Sequence, residues 1–283
     1  MREEADLAGS DILRIAADRS AAREAFALAI VIETRGSTSA RPGAKALFST
    51  GGRVLAGWVG GGCAESTIAH AALECLGTDT PRIVDVDLDD EVLGAGMPCG
   101  GHMRVYVEPV RPRPRLWVLG HGRVAECLCH LGALMSFEVI VDDVMAAPER
   151  YPDAARVITD DDDYAALAPE AADFVVIATQ HRGDHESLRR ILTGDVGYIA
   201  LIASRKRAGL VMAYLREAGF GEDALGRIRT PAGIAIGART PEEIALSVIG
   251  EVVRVRRGRV APRQASGNVV RIEPEQTAAR AEA

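Results

Sequence analysis

The run Leu116-Trp117-Val118-Leu119-Gly120-His121-Gly122-Arg123-Val124-Ala125 constrains this chain more than any other stretch. An apolar strand breaks on a glycine turn, a helical pattern follows over residues 123–132, and a second apolar strand over 137–141 ends on Asp142. This is the βαβ spacing of a dinucleotide fingerprint. Gly120 makes the tight turn, Gly122 leaves backbone amides open to a pyrophosphate, and the small Ala125 lets helix pack on strand. Asp142 then stands where a carboxylate accepts from ribose hydroxyls and disfavours a 2′-phosphate, which favours an NAD-like ligand. The same glycines would equally close the first turn of a sheet that binds nothing.

The alternation continues, with a short strand near Val157, strands over 174–178 and 198–203, and helices over 185–192 and 207–218. A last helix is opened by Thr240 as N-cap, with Pro241 in its first turn and Glu243 closing a capping box. Strands alternating with helices predict a parallel sheet covered on both faces, so residues 116–258 are expected to form a Rossmann-like, doubly wound α/β domain. Ahead of it, Arg111-Pro112-Arg113-Pro114-Arg115 has the stiff composition of a linker, placed at 111–115. Residues 1–110 read as an α+β domain. It has a helix over 11–25, a strand over 27–34, a hairpin of 44–49 with 54–58, a helix over 64–76 stopped by Gly77, and strands over 82–88 and 102–108. Residues 259–283 lose hydrophobic period and are expected to be a disordered tail.

The glycines of the first domain gather around thiols and cations. Cys63 follows Gly60-Gly61-Gly62 at a predicted helix start, where free amides and the macrodipole favour thiolate, and Cys99 is flanked by Pro98 and Gly100-Gly101. Arg35, Arg41 and Lys45 lie in one polar loop and can clamp an anion such as phosphate, or simply be solvated. Zinc-like spacings are discounted: Cys99 and His102 supply only two ligands, and Cys127 and Cys129 project to different faces of their helix. For His181 and His185, Asp184 reads as an N-cap that leaves His181 outside the helix; Asp160 to Asp163 read as a solvated helix start. With a net charge of −7 and only two lysines, Lys45 and Lys206, the chain has no basic footprint for nucleic acid. Its longest apolar run, residues 25–32, is far shorter than the ~18–20 a membrane helix needs. With five cysteines, an odd number, and no signal-peptide order at its start, it is expected to be cytoplasmic.

Several separated motifs stand in one order: Gly36 and Ser37 with Arg41 to Lys45, Gly61-Gly62-Cys63 with Glu65, and Cys99-Gly100-Gly101. Gly120-x-Gly122, Asp142, Asp184, Ser204-Arg205-Lys206, and Pro231-x-Gly233 through Thr240-Pro241-Glu242-Glu243 follow. In these the chain resembles the XdhC/CoxI family, accessory proteins of molybdenum hydroxylases. The resemblance implies a maturation factor more than a turnover enzyme. Such a factor binds molybdenum cofactor, supports its sulfuration with a cysteine desulfurase, and delivers it to an apo-hydroxylase of the xanthine dehydrogenase or carbon monoxide dehydrogenase type. Taken with the residue reading, which adds Arg35 and makes Cys63 and Cys99 candidate molybdenum contacts, the expected cofactor site comprises Arg35, Arg41, Lys45, Gly61, Gly62, Cys63, Glu65, Cys99, Gly100 and Gly101. Gly120, Gly122 and Asp142 complete the expected site, with NAD(P) as a second cofactor. A homodimer is compatible with all of this. The competing class is an NAD(P)-dependent oxidoreductase, with His181 or His185 as acid–base groups. A scaffold for desulfurase and target enzyme, needing neither cysteine, is the third.

Overall fold

A computed structural model describes residues 9–87, 101–179 and 183–258. The first half is a five-stranded antiparallel sheet in the order β3-β2-β1-β5-β4. Its strands are β1 (Phe26–Gly36), β2 (Lys45–Ser49), β3 (Val54–Gly57), β4 (Arg82–Asp87) and β5 (Gly101–Val110). Period-2 alternation splits its side chains between two layers. Ala27, Ala29, Val31, Met103, Val105 and Val107 face α2 (Cys63–Thr78), while Phe26, Leu28 and Leu47 face α1 (Gly9–Ala21). The last turn of α2 passes the expected stop at Gly77 and ends on Asp79 in a left-handed conformation (φ 52°). The reason is tertiary: Arg111, arriving from β5, bonds the Leu76 carbonyl and reaches the Asp79 carboxylate at 3.1 Å, satisfying the helix end.

The second half is a six-stranded parallel sheet. Its strands are β6 (Arg115–Gly120), β7 (Glu138–Asp142), β8 (Arg156–Ile158), β9 (Phe174–Ala178), β10 (Tyr198–Leu201) and β11 (Ile228–Arg229), in the order β11-β10-β9-β6-β7-β8. The strand order reverses between β6 and β9, which is the Rossmann switch point. One face, with Val118, Val141 and Val176, is covered by α3 (Arg123–Leu134) and α7 (Pro241–Gly258). The other, with Leu119, Ile140 and Ile177, is covered by α4 (Asp184–Leu192) and α5 (Arg205–Glu217). Each such side chain buried from water contributes about 1.5–3 kcal/mol, so the strand interior alone holds the two layers together.

Several local expectations change. Arg115 belongs to β6 and not to the linker, because its N–H is held by Asp173 at 3.3 Å and it pairs with Glu138. No helix starts at Asp160 to Asp163; Asp161 turns inward and accepts from Ala165 N and Ala166 N at 2.6 and 2.8 Å, closing a turn instead. The short α6 (Glu222–Leu225) and two-residue β11 carried no sequence signal of their own. The capping box of α7 forms as expected: Glu243 N–H donates to the Thr240 hydroxyl, and the Thr240 N–H donates to the Glu243 carboxylate at 3.0 Å. The segment 259–283 lies outside the described residues.

The halves meet at the amino edge of the parallel sheet. Arg23, in a left-handed conformation (φ 61°) between α1 and β1, donates to Glu138 at 2.6 Å and to the Arg113 carbonyl at 3.1 Å. This junction lies at the Phe26 end of β1, so the Gly36 end of the first sheet and the carboxyl edge of the parallel sheet are each the end of their sheet that lies away from it.

Candidate functional site

Two loci collect the glycine motifs, one in each half. In the first, β1 runs out at Gly36 opposite Gly101, the first residue of β5. The loop after Gly36 then crosses so closely that a Cβ on Gly101 would run into the Ser37 carbonyl. The loop returns to β1 through Val31, whose N–H and carbonyl bond Ala44 and Gly43. Gly60 fits the third side: its Cβ would lie 3.3 Å from Met103 and 3.6 Å from Ser39. The Gly36, Gly60 and Gly101 segments thus converge on one end of the sheet. Gly61 and Gly62 face open space, and Cys63, half-buried, begins α2 behind Gly62 (φ 60°) with no side-chain cap. The first hydrogen bond of α2 runs from Ser66 N to Gly62 O, leaving the amides of the first turn for another acceptor.

The three expected cations do not form one clamp. Arg35 is held by Glu33 at 2.7–2.8 Å, and the Lys45 ammonium turns back on the Gly43 carbonyl at 3.0 Å. Both had nearer acceptors along the chain. Arg41 is exposed, and its side chain makes no hydrogen bond or ion pair among the described residues. Glu65 is exposed in the first turn of α2. Cys99, Gly100 and His181 lie outside the described residues.

The second locus is the carboxyl edge of the parallel sheet at the β6/β9 switch. Gly120 (φ 137°) is crowded so tightly that a Cβ would strike the Ala178 carbonyl, and Gly122 (φ 81°) caps α3. Asp142 ends β7 with 0% exposure, and neither carboxylate oxygen has a hydrogen-bond partner among the described residues. Burial, then the charges of Asp161 and Asp143, push its carboxyl up to about 7, with Arg156 working against them. Asp143 is engaged, accepting from Met145 N at 2.7 Å with His121 at 3.1 Å. Asp184 is not the N-cap of α4; Gly183 (φ 78°) takes that place, and Asp184, 2% exposed, is gripped by the Thr179 hydroxyl and by Arg207 at 3.1 Å. Tyr164 (φ 57°) packs over this edge with its hydroxyl against Gly183, and no local sequence pattern marked it.

Of the remaining thiols, Cys75 is buried beneath Val107, and Cys129 is buried in the sheet core with its thiol pushed up to about 12 by burial and by Asp153. Cys127 lines a cleft of about 470 Å³ between α3 and α7 with His130, which is paired to Asp153 at 2.8 Å. Burial raises its thiol too, so neither is poised as a thiolate. At ~3.3 Å per residue, Gly101 lies ~30 Å from the junction along one sheet and Gly120 ~16 Å from it along the other, so the two loci are separate sites on separate sheets.

Known proteins match both halves. The family model described as "XdhC and CoxI family" matches residues 20–87, and the "XdhC Rossmann domain" matches residues 116–252. The chain is 33% identical over 240 residues to "Uncharacterized protein YqeB" of Escherichia coli (strain K12), covering 82% of this chain and 43% of that protein. It is 28% identical over 166 residues to a probable xanthine dehydrogenase subunit of Bacillus subtilis (strain 168), covering 54% and 46%. It is 26% identical over 297 residues to "Molybdenum cofactor insertion chaperone PaoD" of Escherichia coli (strain K12), covering 87% and 88%. The chain therefore spans less than half the length of the first two of these relatives and most of the third.

Proposed function

This chain belongs to the XdhC and CoxI family, and on that premise we propose that it is a maturation factor that carries molybdenum cofactor to a molybdenum hydroxylase. The observation that carries the reading is the convergence of the Gly36, Gly60 and Gly101 segments around Cys63. An anionic pterin bearing a soft metal needs acceptor-hungry amides, a nearby cation and a sulfur. The open backbone at Gly61 and Gly62, the first turn of α2, Arg41, unpaired among the described residues, and the Cys63 thiol supply those groups. Cys99 and Gly100 join them on sequence grounds. The relative named as a molybdenum cofactor insertion chaperone supports the same reading. Sulfuration with a cysteine desulfurase, a xanthine dehydrogenase or carbon monoxide dehydrogenase type of target, a homodimer and a cytoplasmic setting complete the proposal.

A nucleotide at the second locus is a separate proposal, favoured by the strand order and the glycine turn. Gly120 and Gly122 would receive the phosphates and Asp142 the ribose of an NAD-type ligand. Because the loci lie on different sheets, each at the end away from the junction, carriage of the cofactor and binding of a nucleotide need not compete.

Purification from a host with cofactor synthesis intact, followed by molybdenum mass spectrometry and pterin fluorescence, tests the first proposal. Wild type and Cys75→Ser should retain cofactor, whereas Cys63→Ser and Arg41→Ala should lose most of it. Equal retention by all four would leave a scaffold as the better description.

A further inference from the structure

Paired residues of neighbouring parallel strands point to one face of the sheet. Asp142 pairs with Leu119 on one side and Ile158 on the other, and both belong to the core beneath α4 and α5. Its carboxyl therefore projects into that layer, while α3 and its glycine turn serve the opposite face. Over it on this side runs the segment 159–167. Asp161 accepts from Ala165 N and Ala166 N, Arg190 of α4 holds the Ala165 carbonyl at 3.0 Å, and Tyr164 packs into the same core as Leu119 and Ile158.

Three features single out this roof. Tyr164 is a bulky residue at φ 57°, a conformation that costs of order 1–3 kcal/mol. A Cβ on Gly183 would lie 2.6 Å from the Tyr164 hydroxyl, so the contact closes only because that residue is glycine. Beneath it, Asp142 is shut from water with both oxygens unpartnered among the described residues, although a carboxyl group accepts several hydrogen bonds. Were the segment to move so that Tyr164 swung outward, its φ would be freed and water would reach the unpartnered Asp142 oxygens. The charged neighbours do not favour closure: Asp143 from its own strand end, and Asp160 and Asp161 from the roof, oppose ionised Asp142, and only Arg156 of β8 offsets them.

We infer that segment 159–167 is a gate across the switch-point crevice, with Tyr164 as its latch against Gly183, and that a ligand carrying paired hydroxyl donors, such as a ribose diol, reaches Asp142 only when Tyr164 leaves. The choice of ribose rests on the nucleotide reading above; the gate does not.

A double-mutant cycle on the full chain tests it. Melting temperature is followed from pH 5 to 8.5 for wild type, Asp142→Asn, Tyr164→Ala and the double variant. With Tyr164 in place, Asp142→Asn should change the pH profile, since the closed crevice buries the carboxyl. In the Tyr164→Ala background that difference should shrink at least by half, because water reaches Asp142. Should Tyr164→Ala fold poorly, Tyr164→Phe removes only the hydroxyl, and hydrogen exchange of the 159–167 amides should rise about tenfold. An Asp142→Asn effect undiminished by Tyr164→Ala, or exchange unchanged by Tyr164→Phe, overturns the gate. Titration of each variant with NAD+ and NADP+ separates the two ideas. Tighter binding by Tyr164→Ala supports both. A relaxed pH profile with no binding of either dinucleotide supports the gate and refutes the nucleotide.

Discussion

Replacing Asp142 by asparagine should make this protein more stable at pH 8 and change it little at pH 5. The carboxyl is fully buried, and its folded-state proton affinity is pushed up to about 7, by burial first and then by Asp161 and Asp143. In the unfolded chain an aspartate titrates near ~3.9. Between those values the folded state binds the extra proton, so stability falls as pH rises through this window and levels off above about 7. At 1.36 kcal/mol for each tenfold change in proton affinity, the loss approaches ~4 kcal/mol as an upper bound, and reorganisation around the charge brings the expectation to ~2–3 kcal/mol. The asparagine cannot ionise. At pH 5 the unfolded aspartate is already mostly ionised, so wild type has lost ~1.5 kcal/mol that the asparagine variant keeps; this offsets the ~1 kcal/mol cost of fitting an amide among Asp143 and Asp161 and leaves the two close in stability. Differential scanning calorimetry at constant ionic strength reads this directly, at ~2–4 °C per kcal/mol for a domain of this size. Parallel curves for wild type and Asp142→Asn from pH 5 to 8.5 would refute the reasoning and place water or a cation beside the carboxylate.

Three further substitutions probe other parts of the structure. Glu251→Ala should destabilise by ~2–4 kcal/mol in urea denaturation, because the Tyr198 hydroxyl and Gly233 N–H, each 2.9 Å from Glu251, lose their acceptor; a loss below ~0.5 kcal/mol would show the network to be dispensable. Gly120→Ala should cost more than ~2 kcal/mol, since the new methyl meets the β9 backbone at Ala178, which cannot rotate aside; a variant as stable as wild type in the same denaturation would show that the turn yields. Gly61→Ala has nothing within 4 Å and should leave the melting temperature within ~1 °C, yet lower cofactor retention by crowding the amides of the α2 turn. If Gly61→Ala retains cofactor like wild type, the ligand does not approach the backbone there.

What could be read in advance followed windows of a few residues. The βαβ alternation, the 120–122 turn, the 50–53 hairpin and the Thr240 capping box are each stated by neighbours in sequence, where periods of 2 and 3.6 and the cost of a Cβ act directly. The alternation and right-handed crossovers specify a doubly wound parallel sheet, while the order β11-β10-β9-β6-β7-β8 within it is set by which strands pair in the folded chain. Other features needed residues far apart in the chain to meet. Arg35 was legible as a cation but not as Glu33's partner, and Asp161 as an acid but not as the closure of an inward turn. β11 has two residues and exists only because β10 offers its edge. The full burial of Asp142 and the packing of Tyr164, from the β8–β9 crossover, against Gly183 each bring together segments far apart in the chain. Which segments become strands and helices, and where the glycine turns fall, is therefore written locally along the chain. The separation of the two glycine loci and the roof over Asp142 are not, because register, side-chain pairing and exclusion of water are set by packing between distant segments.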